Sequence, residues 1–93
     1  MSKPEIILEL DHIDKARSFG AICIKGKIEG RAAYPDRLIL KKGRKFYWIE
    51  FKSTTGSLQE DQIEMHKELR KRGHKIYVCD NQNDSDSILV QEF

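Results

Sequence analysis

Apolar side chains between residues 4 and 19 recur at Ile6, Leu10, Ile13, Ala16 and Phe19. That spacing of three to four predicts an amphipathic helix ended by Gly20. Pro4 suits the first turn, where a missing N–H costs no helical hydrogen bond. Ala21, Ile22, Cys23 and Ile24 follow as a short run rich in β-branched residues, and the basic, glycine-bearing stretch 25–31 reads as the strand opening into a loop. Leu38, Ile39 and Leu40 predict a buried strand, residues 41–45 around Gly43 a hairpin turn, and residues 46–51 the returning strand. Residues 53–57 read as a glycine-bearing loop. Leu58, Gln59, Glu60, Asp61 and Gln62 then open a second helix, with apolar positions Ile63, Met65 and Leu69 and a basic end at Arg70, Lys71, Arg72 and Gly73. Residues 75–79 predict a last strand, and 80–86 a polar turn before the Ile88, Leu89 and Val90 segment. The expected order is helix, three strands, helix, strand (αβββαβ), an α/β arrangement without repeats or linkers.

Composition narrows the class. A chain of 93 residues, 39% hydrophobic and 34% charged, suits one small globular domain spanning 1–93, whose modest core a second subunit would help to complete. No apolar run approaches the roughly 20 residues that span a bilayer, and the N-terminus lacks the basic-then-apolar order of a signal peptide. The expectation is a cytoplasmic protein with no membrane partner. Cys23 and Cys79 sit in apolar strands without CxxC spacing, which points to reduced structural thiols rather than zinc or a disulfide. The net charge of +2, from 17 Lys and Arg against 15 acids, permits a nucleic-acid partner without requiring one.

The chemistry concentrates in Pro35, Asp36 and the doublet Glu50 and Lys52. Glu50 and Lys52 stand two apart on one strand and so share a face, with Phe51 turned to the opposite, core side. Asp36 opens the preceding strand, one hairpin away. An acid-x-lysine doublet is ordinarily a solvent-facing pair. Here it lies in the strongly apolar stretch Phe46, Tyr47, Trp48, Ile49, Glu50, Phe51, where a carboxylate is costly without a partner or a metal. A hard divalent ion such as Mg²⁺ takes one or two carboxylates and completes its shell with waters and phosphate oxygens. Asp36, Glu50 and the backbone carbonyl of Phe51 are the candidate ligands, and Lys52 is placed to hold a water or to stabilise charge developing on phosphorus. On a helical wheel Glu9 falls inside the stripe of Ile6, Ile13 and Ala16, with Glu5 at its edge. Glu9 can therefore approach the acids to hold a second metal or a metal-bound water, or can simply pair with a lysine.

These residues resemble the PD-(D/E)XK nuclease superfamily, and the whole chain looks like a stand-alone VRR-NUC domain of the kind found in phage proteins. The likeness extends to Gly30 and Arg31 before the Pro-Asp pair, Leu58 and Gln62 opening the second helix, Leu69 and Gly73, and the closing strand Ile76, Tyr77 and Val78. Ala33 and Tyr34 depart from the small glycine and aliphatic residue common before Pro-Asp. The resemblance implies a restriction-endonuclease-like core, a mixed sheet flanked by helices, with Mg²⁺ or Mn²⁺ at Asp36 and Glu50 and hydrolysis of DNA phosphodiesters. It places Gln62 near the active site. Holliday junction resolvases are similar, with a helix 1 glutamate about three turns before a glycine, which matches Glu9 and Gly20 better than Glu5. The function expected from this likeness is a homodimeric, metal-dependent DNA endonuclease acting on branched DNA such as four-way junctions, located in the host cytoplasm if phage-encoded.

Further candidates are weaker. Lys25, Lys27 and Arg31 lead into the Asp36 strand and can track a DNA backbone, and Tyr34 can touch substrate. Lys67, Arg70, Lys71 and Arg72 read equally as a DNA-tracking face or as a solvated helix end favoured by the macrodipole. His12, His66 and His74 share no ligand spacing and read as surface or capping residues. Rival functions are a nuclease of the same fold acting on flaps or linear ends, a non-catalytic DNA-binding module, and a protein-interaction domain with a basic helix.

Overall fold

The computed structural model describes residues 4–26, 33–53 and 56–93. Helix α1 (Glu5–Ser18) leads into strands β1 (Ile22–Lys25), β2 (Arg37–Leu40) and β3 (Phe46–Phe51), followed by helix α2 (Glu60–Lys71), strand β4 (Ile76–Cys79) and helix α3 (Gln82–Glu92). The strands form one mixed sheet in the order β1-β2-β3-β4. The first two pairings are antiparallel and β3 pairs with β4 in parallel. A parallel return needs a crossover long enough to span the sheet, and α2 supplies it.

The alternation of β3 builds two cores. Tyr47, Ile49 and Phe51 point to one side and, with Ile39 and Cys79, pack against Leu8, Ile13 and Ala16 of α1 and Ile88 and Leu89 of α3. Trp48 points to the other side and meets Ile76 and Leu69 of α2, with Tyr34, Leu38 and Met65 around them. Glu50 therefore faces α2, while Phe51 beside it is fully buried under α1 and α3. Both cysteines are free thiols, Cys79 buried and Cys23 partly so.

Three sequence expectations change. Residues 82–92, read as a polar turn and a short apolar segment, form α3. Asn81 caps it by accepting the Asp84 backbone N–H at 2.8 Å, and Ser85, Ile88 and Leu89 fall on one buried stripe. The local polarity of 80–86 hid a helix whose inner face is only three residues wide. The second change is the face of α1, which buries Leu8, His12, Ile13 and Ala16, leaving Ile6, Leu10 and Phe19 exposed. Both frames have helical spacing, and the one chosen satisfies His12, whose Nδ1 meets Ser85 Oγ and whose Nε2 meets Tyr47 Oη, each at 2.8 Å. Third, α2 leaves Ile63 exposed and turns His66 inward with Leu69.

A second polar anchor closes the far end. Glu92 accepts hydrogen bonds from Lys41, Lys75 and Tyr77, which tie α3 to β4 and to the residue after β2. Burial opposes ionisation of this carboxyl, yet the three donors outweigh it and bring its pKa down to about 2.

Burial, only partly opposed by Asp11 and Asp86, lowers the His12 pKa from 6.5 to about 4. The unfolded chain therefore binds a proton that the folded protein refuses between pH 6.5 and 4. Stability is full above that window and falls by roughly 3 kcal/mol from this group as pH drops through it. The Glu92 contribution fades lower, from pH 4.5 towards 2. In thermal melts from pH 7 to 4 the wild type should lose stability relative to His12→Gln as pH falls from 6.5 to 4, whatever the absolute Tm of either, because the opposite contribution of other groups is common to both.

Candidate active site

Register places the acids. Arg37 of β2 stands opposite Ile49 of β3, so one step further along the ladder Asp36 faces Glu50. Directly opposed residues of antiparallel strands project to the same face, and the two carboxylates converge. Asp36 is held by the backbone N–H of Phe51, which donates to its Oδ2 at 2.7 Å. In an extended strand the N–H and C=O of a residue point to the same edge, so the Phe51 carbonyl is directed towards the β2 edge, on which Asp36 lies.

Glu50 is 2% exposed. Its Oε1 has no hydrogen-bond partner among the described residues. Burial pushes its carboxyl well above the usual carboxylate range, the Asp36 carboxylate pushes it further, Lys52 partly offsets this, and Glu5 adds a smaller upward push. Lys52 Nζ lies 3.9 Å from Glu50 Oε2 and donates to Gln62 Oε1 at 3.2 Å. The same Gln62 oxygen accepts the Gln59 N–H at 2.9 Å, closing the first turn of α2. One side chain thus caps the helix and anchors the lysine.

The acid of α1 nearest in effect to the pair is Glu5. Glu9, the stronger expectation from sequence, instead accepts Arg37 Nε at 2.7 Å in an ion pair with both side chains largely buried. Strand alternation explains this: Asp36 and Glu50 face α2, whereas Arg37 faces α1 and meets the acid on that helix's inner edge. Glu9 pins α1 to β2, next to Asp36 but on the other side of the sheet.

Lys25 is exposed at the end of β1, opposite Arg37 and one residue from the Asp36 position. Lys27 and Arg31 lie outside the described residues. Tyr34, two residues before Asp36, stacks on Trp48 at 6.2 Å, and Trp48 stacks in turn on His74, whose Nδ1 accepts the indole N–H at 2.9 Å. His74 is a structural partner and His12 a buried core residue, not the surface or capping residues expected. On α2, Lys67, Lys71 and Arg72 pair with Glu64 or Glu68 of the same helix, and Arg70 donates to the Ile76 carbonyl. These contacts favour the solvated-helix reading of that basic stretch.

Two residues near the site have places that the sequence reading does not give them, and the first, His66, is buried rather than at the surface or capping a helix as expected. His66 is 1% exposed, neither ring nitrogen has a hydrogen-bond partner among the described residues, and Nε2 stands 3.8 Å from Glu50 Oε1. Burial, then Arg70 and Lys52, lower its pKa, so the ring is neutral near pH 7 and the contact is not an ion pair. Its spacing, four after Gln62 and three before Leu69, is the signal that could have found it. The second is Gly26, whose N–H donates to the Asp36 carbonyl at 2.9 Å. A Cβ there would stand 1.8 Å from the Pro35 carbonyl oxygen. Only glycine lets β1 approach the Pro35 and Asp36 backbone this closely.

Two opposed carboxylates, one of them buried and each raising the cost of the other's charge, fit a divalent cation, which would relieve their repulsion. No group of three or more acid, histidine or cysteine side chains suited to a metal occurs among the described residues. The donor set is thus two carboxylates and a carbonyl, the sparse set that suits a hydrated Mg²⁺ rather than a closed protein cage.

Comparison with known proteins agrees with this architecture. The VRR-NUC domain model matches residues 15–83, and the chain belongs to the VRR-NUC domain family. Its fold is accordingly of the PD-(D/E)XK nuclease type. A phage protein named "Putative nuclease p44", from Acyrthosiphon pisum secondary endosymbiont phage 1, is 32% identical over 82 residues, covering 88% of this chain and 87% of that one. A solved structure described as a VRR_NUC domain superposes with a TM-score of 0.87 at 21% identity, over 96% of this chain and 97% of the other, a likeness of fold.

Replacing Gly26 with alanine should force the Pro35 and Asp36 backbone aside, costing on the order of 2 kcal/mol, or about 10 °C in Tm. The Phe51 amide, which reports the Asp36 carboxylate, should shift in an NMR spectrum. An unchanged melt and an unchanged Phe51 resonance would show that β1 does not constrain Asp36.

Proposed function

We propose that this nuclease domain is a metal-dependent DNA endonuclease, with Asp36, Glu50 and the Phe51 carbonyl holding Mg²⁺, or Mn²⁺ in its place. The observation that carries the reading is the opposed Asp36 and Glu50 pair, with Glu50 buried and a lysine alongside. When bound, the cation supplies a Lewis acid for a phosphate oxygen and lowers the pKa of a water. The protein's own groups supply orientation. The Phe51 N–H fixes Asp36, and Gln62 directs the Lys52 ammonium towards the space beside Glu50, where it can hold the attacking water or meet charge developing on the phosphate. Lys25, exposed at the end of β1, can meet a DNA backbone passing over β1 and β2, and Tyr34, two residues before Asp36, can contact substrate. Lys27 and Arg31, which precede Asp36 in the sequence, are proposed as further phosphate contacts on charge alone.

Branched DNA such as four-way junctions is the proposed substrate, and a homodimer the proposed acting form, since two symmetric cuts need two sites. Ile6, Ile7 and Leu10 on the outer face of α1, with Ile22 and Ile24 on the edge strand β1, are exposed and available to a second copy. No helix among the described residues is long and apolar enough to cross a membrane, and the cytoplasm of a host cell is the proposed location.

Glu50→Gln and Lys52→Met should each reduce Mg²⁺-dependent cleavage at least about 100-fold on labelled linear, flapped and four-way substrates. Because the folded Glu50 carboxyl is held above its ordinary range, its ionisation near neutral pH weakens the metal-free fold. Glu50→Gln should therefore melt no lower than wild type without metal. Undiminished cutting by both variants would reject the site, equal cutting of linear and four-way DNA would reject branch selectivity, and DNA binding without any cleavage would favour the non-catalytic module. Light scattering should give twice the monomer mass, and a monomer would reject the dimer.

A further inference from the structure

Helix α2 addresses the Glu50 and Lys52 doublet at two points. Four residues of α-helix rise about 6 Å and two residues of strand about 6.6 Å, so residues i and i+4 of a helix lying along a strand can each meet one of two side chains spaced two apart. Gln62 meets Lys52 at 3.2 Å, and four residues on, His66 Nε2 stands 3.8 Å from Glu50 Oε1. The crossover runs antiparallel to β3, which reverses the order of the partners as observed.

The two contacts differ in completeness. Lys52 and Gln62 are hydrogen-bonded, whereas Glu50 Oε1 and both His66 ring nitrogens are buried and without hydrogen-bond partners among the described residues. Three unpaired polar atoms in one place would cost several kcal/mol if they stayed so. The gap between Nε2 and Oε1 exceeds hydrogen-bond length by well under 1 Å. A proton on Nε2 faces a carboxylate oxygen, while an Nε2 lone pair there would face another lone pair.

We propose that His66 is the positioning residue of Glu50: its Nε2–H donates to Glu50 Oε1, fixing the carboxylate so that Oε2 is presented towards Asp36 and Lys52 for the cation. The inference rests on the metal site proposed above and adds the residue that orients it. Outer hydrogen bonds of this kind hold a ligating carboxylate at its working angle, and their loss typically weakens metal affinity 10- to 100-fold.

The test uses Mn²⁺ and Mg²⁺ binding by calorimetry, with no DNA present, on the full chain. Glutamine can place its amide N–H near the position of Nε2, whereas asparagine reaches only as far as Nδ1. His66→Gln should bind metal within a few-fold of wild type, and His66→Asn should bind at least about 10-fold more weakly, both with a native circular-dichroism spectrum. Equal affinities for the two variants would overturn the role, as would tighter binding by the asparagine variant. In the unmodified protein saturated with Mg²⁺, which keeps Glu50 ionised, nitrogen-correlated NMR of the imidazole should show the Nε2–H tautomer, and the Nδ1–H tautomer would also overturn the role. Glu50→Gln separates the two readings. If it binds metal like wild type, the site itself fails; if it loses binding while His66→Asn does not, only the role of His66 fails.

Discussion

A carboxylate buried in an apolar strand sets the terms for this molecule. Glu50 stands in β3, an inner strand of the sheet, 2% exposed, where an acid is tolerated only if its surroundings answer it. The surroundings answer in part: Lys52 lies beside it, His66 faces it, and Asp36 opposes it with more negative charge. The incompleteness is informative. A structural ion pair would be closed, whereas this carboxyl faces a second carboxylate and has a raised pKa, the condition expected of a site kept ready for a cation.

The rest of the fold can be understood as support for that strand. The β2–β3 register brings Asp36 opposite Glu50, and the close approach of Gly26 fixes the backbone on which Asp36 rides. Helix α2 does two jobs at once, completing the parallel crossover to β4 and laying Gln62 and His66 along the doublet. On the opposite face the Arg37 and Glu9 ion pair, the hydrogen-bonded set of His12, Ser85 and Tyr47, and the Glu92 anchor hold α1 and α3 to the sheet. Stability in those regions comes from satisfied polar groups set among apolar ones, while opposed like charge and unpartnered polar atoms collect at the proposed site. That division of labour is common where function and stability compete.

The lines legible in the sequence were those with local causes. Strand alternation put Glu50 and Lys52 on one face and Phe51 in the core, glycine and basic residues marked helix ends, and the hairpin around Gly43 set Asp36 within reach of Glu50. The motif of Pro35, Asp36, Glu50 and Lys52 was sufficient to suggest the family to which the domain model then assigned the chain.

What the sequence left undecided depended on partners distant along the chain. The six apolar residues of the first helix allow two inner faces, and the choice fell to His12, because Ser85 and Tyr47 satisfy its ring 73 and 35 residues away. The same choice turned Glu9 to Arg37 and left Glu5 as the acid felt by Glu50. Residues 82–92 looked polar until α1 and the sheet supplied a surface for Ser85, Ile88 and Leu89 to cover. His66 looked exposed because its neighbours are charged, yet its place on the inner stripe of α2 sets it against Glu50. Sequence by itself determined which residues carry chemistry and which strands present them, since periodicity and turn chemistry are local. Only the tertiary structure decided which polar side chains are buried and what they face, because burial of a polar group is stabilised by a partner that no local pattern contains.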